Sequence, residues 1–185
     1  MTKLVILDRD GVINEDSPKY IKSPEEWIPI PGSLEAIARL NHSGFKVVVA
    51  TNQSGIARGL FSLEQLNAIH QKMRQALERV GGHVEGIFFC PHTPEHGCDC
   101  RKPRSGLINE IKKRLNFDIS KAYMIGDSYR DLQTAWIVGA KAILVKTGNG
   151  NHTQAQYDQE LSNTKVYSDL ANAAKSIVQE HYLMS

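Results

Sequence analysis

Asp8 and Asp10 stand one residue apart at the end of the apolar run Lys3-Leu4-Val5-Ile6-Leu7, immediately before Gly11. Strand side chains alternate in direction until the strand ends, so carboxylates placed at such a turn can take different tasks. One can attack while the other moves a proton. A carboxylate that attacks phosphorus forms an acyl phosphate and splits hydrolysis into two easier displacements. Thr51, opening Thr51-Asn52-Gln53-Ser54-Gly55, and Asp127, in Gly126-Asp127-Ser128-Tyr129-Arg130-Asp131, occupy the same place after later apolar runs. Carboxylates gathered on one rim raise one another's pKa unless a cation sits among them. A hard divalent ion with oxygen ligands, Mg²⁺, is the cofactor expected there. Asp131 is the weakest of the set, because one turn into a helix it could simply complement the helix dipole.

A second group of donors is more compact. All three cysteines, Cys90, Cys98 and Cys100, fall in one short window. A disulfide framework would spread pairs through the chain and favour an even count. Cys90-Pro91-His92 and Cys98-Asp99-Cys100 instead supply two chelating pairs, the Cys₃His composition of a closed, structural Zn²⁺ site. His96 could substitute for His92, but Cys-x-His mirrors the other pair. Zinc closing the loop 90–100 would anchor Arg101 and Lys102, which follow at once. A zinc module that binds nucleic acid is the competing class, yet it would want a basic helix or stacking aromatics beside the knuckle. A non-enzymatic zinc-stabilised module would need neither Asp8 nor Asp10.

These residues need elements to position them. Lys3 to Asp8 and Phe45 to Thr51 read as buried parallel strands, and Gly86 to Cys90, Tyr123 to Asp127 and Ala142 to Val145 as further ones. Between them, Leu34, Ile37 and Leu40 recur at helical spacing after Pro31-Gly32-Ser33, with Gly44 as a stop. Ser62 with Gln65 forms a capping-box pattern ahead of Leu66, Ile69, Met73 and Leu77, and Ser105 precedes Leu107, Ile108, Ile111 and Leu115 in the same manner. Tyr129 to Val138 and Asp169 to Tyr182 also read as helices. Thr147 to Thr164, rich in Asn, Gly and Gln, reads as a flexible stretch. Alternating strands and helices imply an α/β fold, a doubly wound parallel sheet with helices on both faces. Ligands then bind at the carboxyl ends of the strands, where the polar residues above collect.

With 185 residues the chain is expected to form one domain over 1–185, without a large cap. Its 22 basic and 20 acidic residues give no general reason to expect a nucleic acid or membrane partner. Met1 to Asp8 carry too short an apolar run for a signal peptide or spanning helix, so a cytoplasmic monomer is expected.

The motifs Asp8-Arg9-Asp10-Gly11, Thr51, Lys102 and Gly126-Asp127-x-x-x-Asp131, in this order, resemble those of the haloacid dehalogenase superfamily of phosphatases. The resemblance implies Asp8 as nucleophile and metal ligand, Asp10 as acid/base that gives the metal its backbone carbonyl, and Asp127 as the remaining protein ligand. It further implies that Thr51 and Asn52 hold the phosphoryl oxygens and that Lys102 neutralises their charge. The zinc loop, Thr51 to Gly59 with Phe61, and Cys98-Asp99-Cys100-Arg101-Lys102-Pro103 are similar to the branch containing heptose bisphosphate and histidinol-phosphate phosphatases. That branch implies a small phosphorylated sugar as substrate, with removal of the C7 phosphate of D-glycero-D-manno-heptose 1,7-bisphosphate. Histidinol phosphate and a nucleic-acid 3′-phosphate are the alternatives. Substrate contacts are implied from Asp16, Tyr20, Thr51, Asn52, Gln53, Ser54, Arg101 and Lys102. Arg58 joins them because a second phosphate needs its own cation.

Overall fold

β-Branched and leucine side chains suit a pleated surface covered on both faces. The computed structural model describes residues 3–183. In it β1 (Lys3–Leu7), α1 (Ser33–His42), β2 (Phe45–Asn52), α2 (Leu63–Arg79), β3 (Gly86–Cys90), α3 (Gly106–Leu115), β4 (Tyr123–Gly126), α4 (Tyr129–Val138), β5 (Lys141–Val145), α5 (Gly150–Gln156), β6 (Lys165–Tyr167) and α6 (Leu170–Leu183) follow one another. The strands pair in parallel in the order β3-β2-β1-β4-β5-β6. Met1 and Thr2, which entered the reading of the chain's start, lie outside the described residues. No described helix is long and apolar enough to cross a membrane.

Period-two alternation divides the core. Val5, Leu7, Val47, Val49 and Ile125 face one side, where Ile37 and Leu40 of α1, Ile69, Met73 and Leu77 of α2, and Ala173 and Ile177 of α6 cover them. Leu4, Ile6, Val48, Ala50 and Met124 face the other, against Leu107, Ile108 and Ile111 of α3 and Ala135 of α4. Each fully buried aliphatic side chain contributes about 1.5–3 kcal/mol of transfer free energy, so both layers are held firmly to the sheet. The order runs from β1 outward to β2 and β3 on one side and through β4, β5 and β6 on the other. The crevice therefore opens between the carboxyl ends of β1 and β4. Leu7 pairs with Ile125, which places Asp8 and Asp127 near that point.

Three details differ from the sequence reading. The stretch 147–164 contains α5 and ends against β6. It is fixed by polar anchors, with Thr147 Oγ1 donating to the Gly11 carbonyl (2.6 Å) and Thr153 Oγ1 to the Asp127 carbonyl (2.8 Å), while Leu161 packs with Leu132 and Leu144. Apolar periodicity has little to register in such a segment. β6 is three residues on the sheet edge and only partly buried, so it too lacks an apolar run. Ser62 and Gln65 do make the reciprocal capping box, but Ser105 makes no side-chain cap. Its Oγ accepts from Asn109 Nδ2 instead.

Candidate active site and cysteine cluster

Asp8 emerges from β1 with its backbone N–H bonded to the Ile125 carbonyl (3.0 Å), which ties the end of β1 to β4. Carboxylate oxygens of Asp8, Asp127 and Asp131 lie within 4.8 Å of one another. Burial pushes Asp8 up to about 6, with Lys102 opposing and Asp131 and Asp10 adding to the rise. Burial likewise raises Asp127 to about 8, helped by Asp131 and Asp8. This is the electrostatic state of a carboxylate set that a divalent cation would relieve, so the donors fit Mg²⁺. The approach is close enough that a methyl at Gly11 or Gly148 would run into Asp127 Oδ2. Both residues also adopt positive φ, 79° and 58°.

Lys102 is buried to 1% exposure, which excludes a solvated surface charge. Its Nζ donates to Asp131 Oδ1 (2.6 Å) and to the Ala50 carbonyl (2.7 Å), and it lies 3.1 Å from Asp8 Oδ1. Burial opposes its charge, but Asp131 and Asp8 outweigh that and raise its pKa. Asp131 does more than complement a helix dipole. Its Oδ2 accepts from the Ser128 N–H and hydroxyl, capping α4, while Oδ1 holds Lys102. Asp131 is held low by Lys102 despite its burial.

Asp10 turns its carboxylate away from that trio. Oδ1 accepts from Arg9 Nε (2.9 Å), Arg9 Nη2 (2.8 Å) and Asn14 Nδ2 (2.9 Å), and Oδ2 accepts from Arg9 Nη2 (3.0 Å) and Gln53 Nε2 (2.9 Å). Against the cost of burial, Arg9, Asn14 and Gln53 hold its pKa below the usual carboxylate range. Gln53 Nε2 also reaches Thr51 Oγ1 at 2.9 Å. Asn52 lines the cavity, and its side chain also reaches the Lys102 backbone. Its Nδ2 donates to the Lys102 carbonyl and its Oδ1 accepts from the Lys102 N–H, both at 3.0 Å. A side-chain amide spent in this way fixes the Lys102 backbone.

Above these groups lies a cavity of about 260 Å³. Asp8, Asp10, Asp127 and Thr51 line it, as do Asn52, Gln53 and Ser54. Asp16, Tyr20, Arg58 and Arg101 line it too, and Lys102 does not. Tyr20 reaches its place with a left-handed φ of 66°.

In the loop after β3, Cys90, His92, Cys98 and Cys100 bring one donor atom each within 4.8 Å of the others. The sulfur separations are 3.1 Å (Cys90 to Cys100), 3.5 Å (Cys98 to Cys100) and 3.6 Å (Cys90 to Cys98), and His92 Nδ1 stands 3.3 Å from Cys100 and 3.6 Å from Cys90. A tetrahedron with Zn–S bonds of about 2.3 Å has edges of about 3.8 Å, whereas a disulfide needs about 2.05 Å. The donor set fits zinc. Burial and the neighbouring Cys90 and Cys98 push the Cys100 thiol up to about 12. His96 turns out of the group, its Nδ1 2.8 Å from Thr93 Oγ1. Arg101 Nη1 donates to the His92 carbonyl (3.1 Å), so the loop and the cavity wall share a residue.

A model described as HAD-hydrolase-like matches residues 99–173, and one described as polynucleotide kinase 3 phosphatase matches residues 3–131. The chain is 53% identical over 178 residues to the D-glycero-beta-D-manno-heptose-1,7-bisphosphate 7-phosphatase of Bordetella bronchiseptica, covering 96% of this chain and 99% of that one. The chain belongs to this family of HAD-like phosphatases. A crystal structure of the D,D-heptose 1,7-bisphosphate phosphatase from B. bronchiseptica, complexed with magnesium and phosphate, superposes with a TM-score of 0.93 at 53% identity over 96% of this chain and 99% of that one. The D,D-heptose 1,7-bisphosphate phosphatase from Burkholderia thailandensis gives 0.75 at 44% identity, over 95% and 98%.

In this HAD-like chain, two residues of the cavity wall escape a reading by motif. Arg130 fills a variable position between Asp127 and Asp131, and its place on the first turn of α4 aims it at the same rim. Asn149 follows β5; its N–H donates to Asp127 Oδ2 (2.8 Å) and its Nδ2 to Asp16 Oδ2 (3.0 Å). Extending the strand-end rule to β5 would have pointed to it. Burial, Arg130 and Arg58 all act to lower the pKa of Arg101. Three arginines lining one cavity call for an anion.

Proposed function

We propose that the chain is a magnesium-dependent phosphatase that removes the C7 phosphate of D-glycero-D-manno-heptose 1,7-bisphosphate, acting as a single-domain monomer. The observation that carries this reading is the set of half-buried Asp8 with buried Lys102, Asp127 and Asp131 beside a cavity that Arg58, Arg101 and Arg130 also line. The set provides one site for a reacting phosphate, and the arginines one for a second. Family membership supports the sugar.

Asp8 is the nucleophile: its free carboxylate oxygen bonds to phosphorus as the bond to the sugar oxygen breaks. Asp10 gives that oxygen its proton, then takes one from the water that cleaves the aspartyl phosphate and releases inorganic phosphate. Lys102 stands 3.1 Å from Asp8 Oδ1, close enough to stabilise charge on the phosphoryl oxygens in flight. Thr51 lines the cavity and orients them. Mg²⁺, held by Asp8, Asp127 and the Asp10 carbonyl, supplies charge neutralisation at the phosphoryl group. Zn²⁺ on Cys90, His92, Cys98 and Cys100 holds the loop that carries Arg101. Thiols that must stay reduced for such a site suit the cytosol.

The test is phosphate release with Mg²⁺ from the heptose bisphosphate, histidinol phosphate and a 3′-phosphorylated oligonucleotide. The oligonucleotide is included because the polynucleotide kinase 3 phosphatase model matches residues 3–131. The bisphosphate should give the highest kcat/KM. A clear preference for either of the others would overturn the substrate.

A further inference from the structure

Arg9 is fully buried, an unusual place for a guanidinium. Its Nε and Nη2 edge holds Asp10, and its Nη1 lies 3.2 Å from Nε2 of His70, a residue of α2 that is 7% exposed. His70 is kept uncharged by its burial and by Arg9. With Arg9 as the donor, Nε2 must accept and the imidazole proton sits on Nδ1. The Phe89 ring, centroid 6.2 Å away, flanks the imidazole. Neither Arg9 nor His70 lines the cavity, whereas Asp10 does.

The geometry of Asp10 is asymmetric. Oδ1 accepts three hydrogen bonds, two from Arg9 and one from Asn14, and is saturated. Oδ2 accepts two, from Arg9 Nη2 (3.0 Å) and from Gln53 Nε2 (2.9 Å), and Gln53 links it to Thr51, which lines the cavity. A carboxylate held at both oxygens by one guanidinium cannot rotate, so Oδ2, the oxygen with fewer partners, keeps its place. We infer that His70 is a positioning residue for the reaction: accepting from Arg9, it fixes the guanidinium so that Arg9 and Asn14 hold the Asp10 carboxylate in one orientation, with Oδ2, the less engaged oxygen, left to transfer the proton. In the first half-reaction the Oδ2 proton passes to the sugar oxygen as the P–O bond to the sugar breaks and the bond from Asp8 forms. In the second, Oδ2 takes a proton from water as its oxygen bonds to phosphorus and the bond to Asp8 breaks, which regenerates both residues. The inference rests on Asp10 being the acid/base group proposed above.

Three variants of the full chain, assayed with saturating Mg²⁺, test it. His70→Leu removes the acceptor and should lower kcat for the heptose bisphosphate about tenfold, a fraction of the roughly 10²–10⁴-fold available to general acid–base catalysis, with KM unchanged. His70→Gln, whose amide oxygen can accept the same bond, should recover most of the rate. An aryl phosphate with a good leaving group needs no acid in the step that kcat/KM reports, so His70→Leu should leave its kcat/KM unaltered. Equal losses on both substrates, a change confined to KM or to thermal stability, or no recovery in His70→Gln would overturn the inference. Asp10→Asn separates the two readings. If it is inactive toward the bisphosphate while His70→Leu is normal, the positioning role alone fails; if Asp10→Asn is itself active, the acid/base reading beneath it fails as well.

Discussion

The carboxylate rim and the cysteine loop solve one electrostatic problem in opposite ways. Each packs donors that repel when ionised, within 4.8 Å of one another. The loop encloses its site with four protein donors, the composition that leaves a metal no open position. The rim opens its carboxylates to a cavity and braces them from behind with Lys102 and Asp131. The difference teaches that completeness of the donor set, and not its charge, separates a site that holds structure from one that does chemistry. Arg101 joins the two, because it is fixed by the His92 carbonyl and lines the cavity.

Several experiments would break or sharpen that contrast. Lys102→Met should have the largest effect after loss of the nucleophile itself. It leaves buried Asp131 and Asp8 without their cation, which costs about 3–5 kcal/mol of stability, and should reduce kcat on the order of 10²–10³-fold; calorimetry and steady-state kinetics read both. Cys100→Ala should empty the loop of zinc by elemental analysis. It should lower kcat/KM by roughly tenfold through Arg101 while leaving the Mg²⁺ dependence of activity alone. If the Mg²⁺ dependence moves instead, the two sites are not separate. Arg130→Ala should raise KM for a bisphosphate by about tenfold, one charge-assisted contact, and change KM for the corresponding monophosphate little.

The smallest effect is a pH dependence. Asp8 and Asp127 are raised to about 6 and about 8 in the metal-free fold, from an ordinary value of 3.8. The folded state therefore binds more protons than the unfolded one across that interval, so its stability falls as pH rises from about 4 to 8. Mg²⁺ needs the ionised carboxylates. The gain in Tm from a fixed Mg²⁺ concentration should thus be greater at pH 8 than at pH 5.5, by differential scanning fluorimetry. An equal gain at both would contradict the strained rim.

How much of this was legible in the sequence follows from the range of each interaction. Asp8, Thr51 and Asp127 declare themselves because an apolar run ends at each of them, and a parallel sheet makes such ends neighbours. Cys90, His92, Cys98 and Cys100 declare themselves by short chelating spacings. Arg130 and His70 carry no local signal, and Asn149 shows only as a polar residue past the end of β5: Nη1 of Arg9 and the ring of His70 meet across 61 positions, and the N–H of Asn149 meets Asp127 across 22. α5 escaped for a related reason, since polar anchors to Asp127 and Gly11 hold its segment in place of an apolar stripe. The Asn52 amide adds a contact that spacing does not show, pairing with the Lys102 backbone across 50 positions.

The central claim is that Asp8 attacks phosphorus while the cysteine loop only holds structure. Asp8→Asn, assayed for turnover of the heptose bisphosphate alongside metal content, tests it most directly. The account predicts a loss of activity on the order of 10⁴-fold or more with zinc still bound as in the wild type; retained turnover, or zinc lost together with activity, would contradict it.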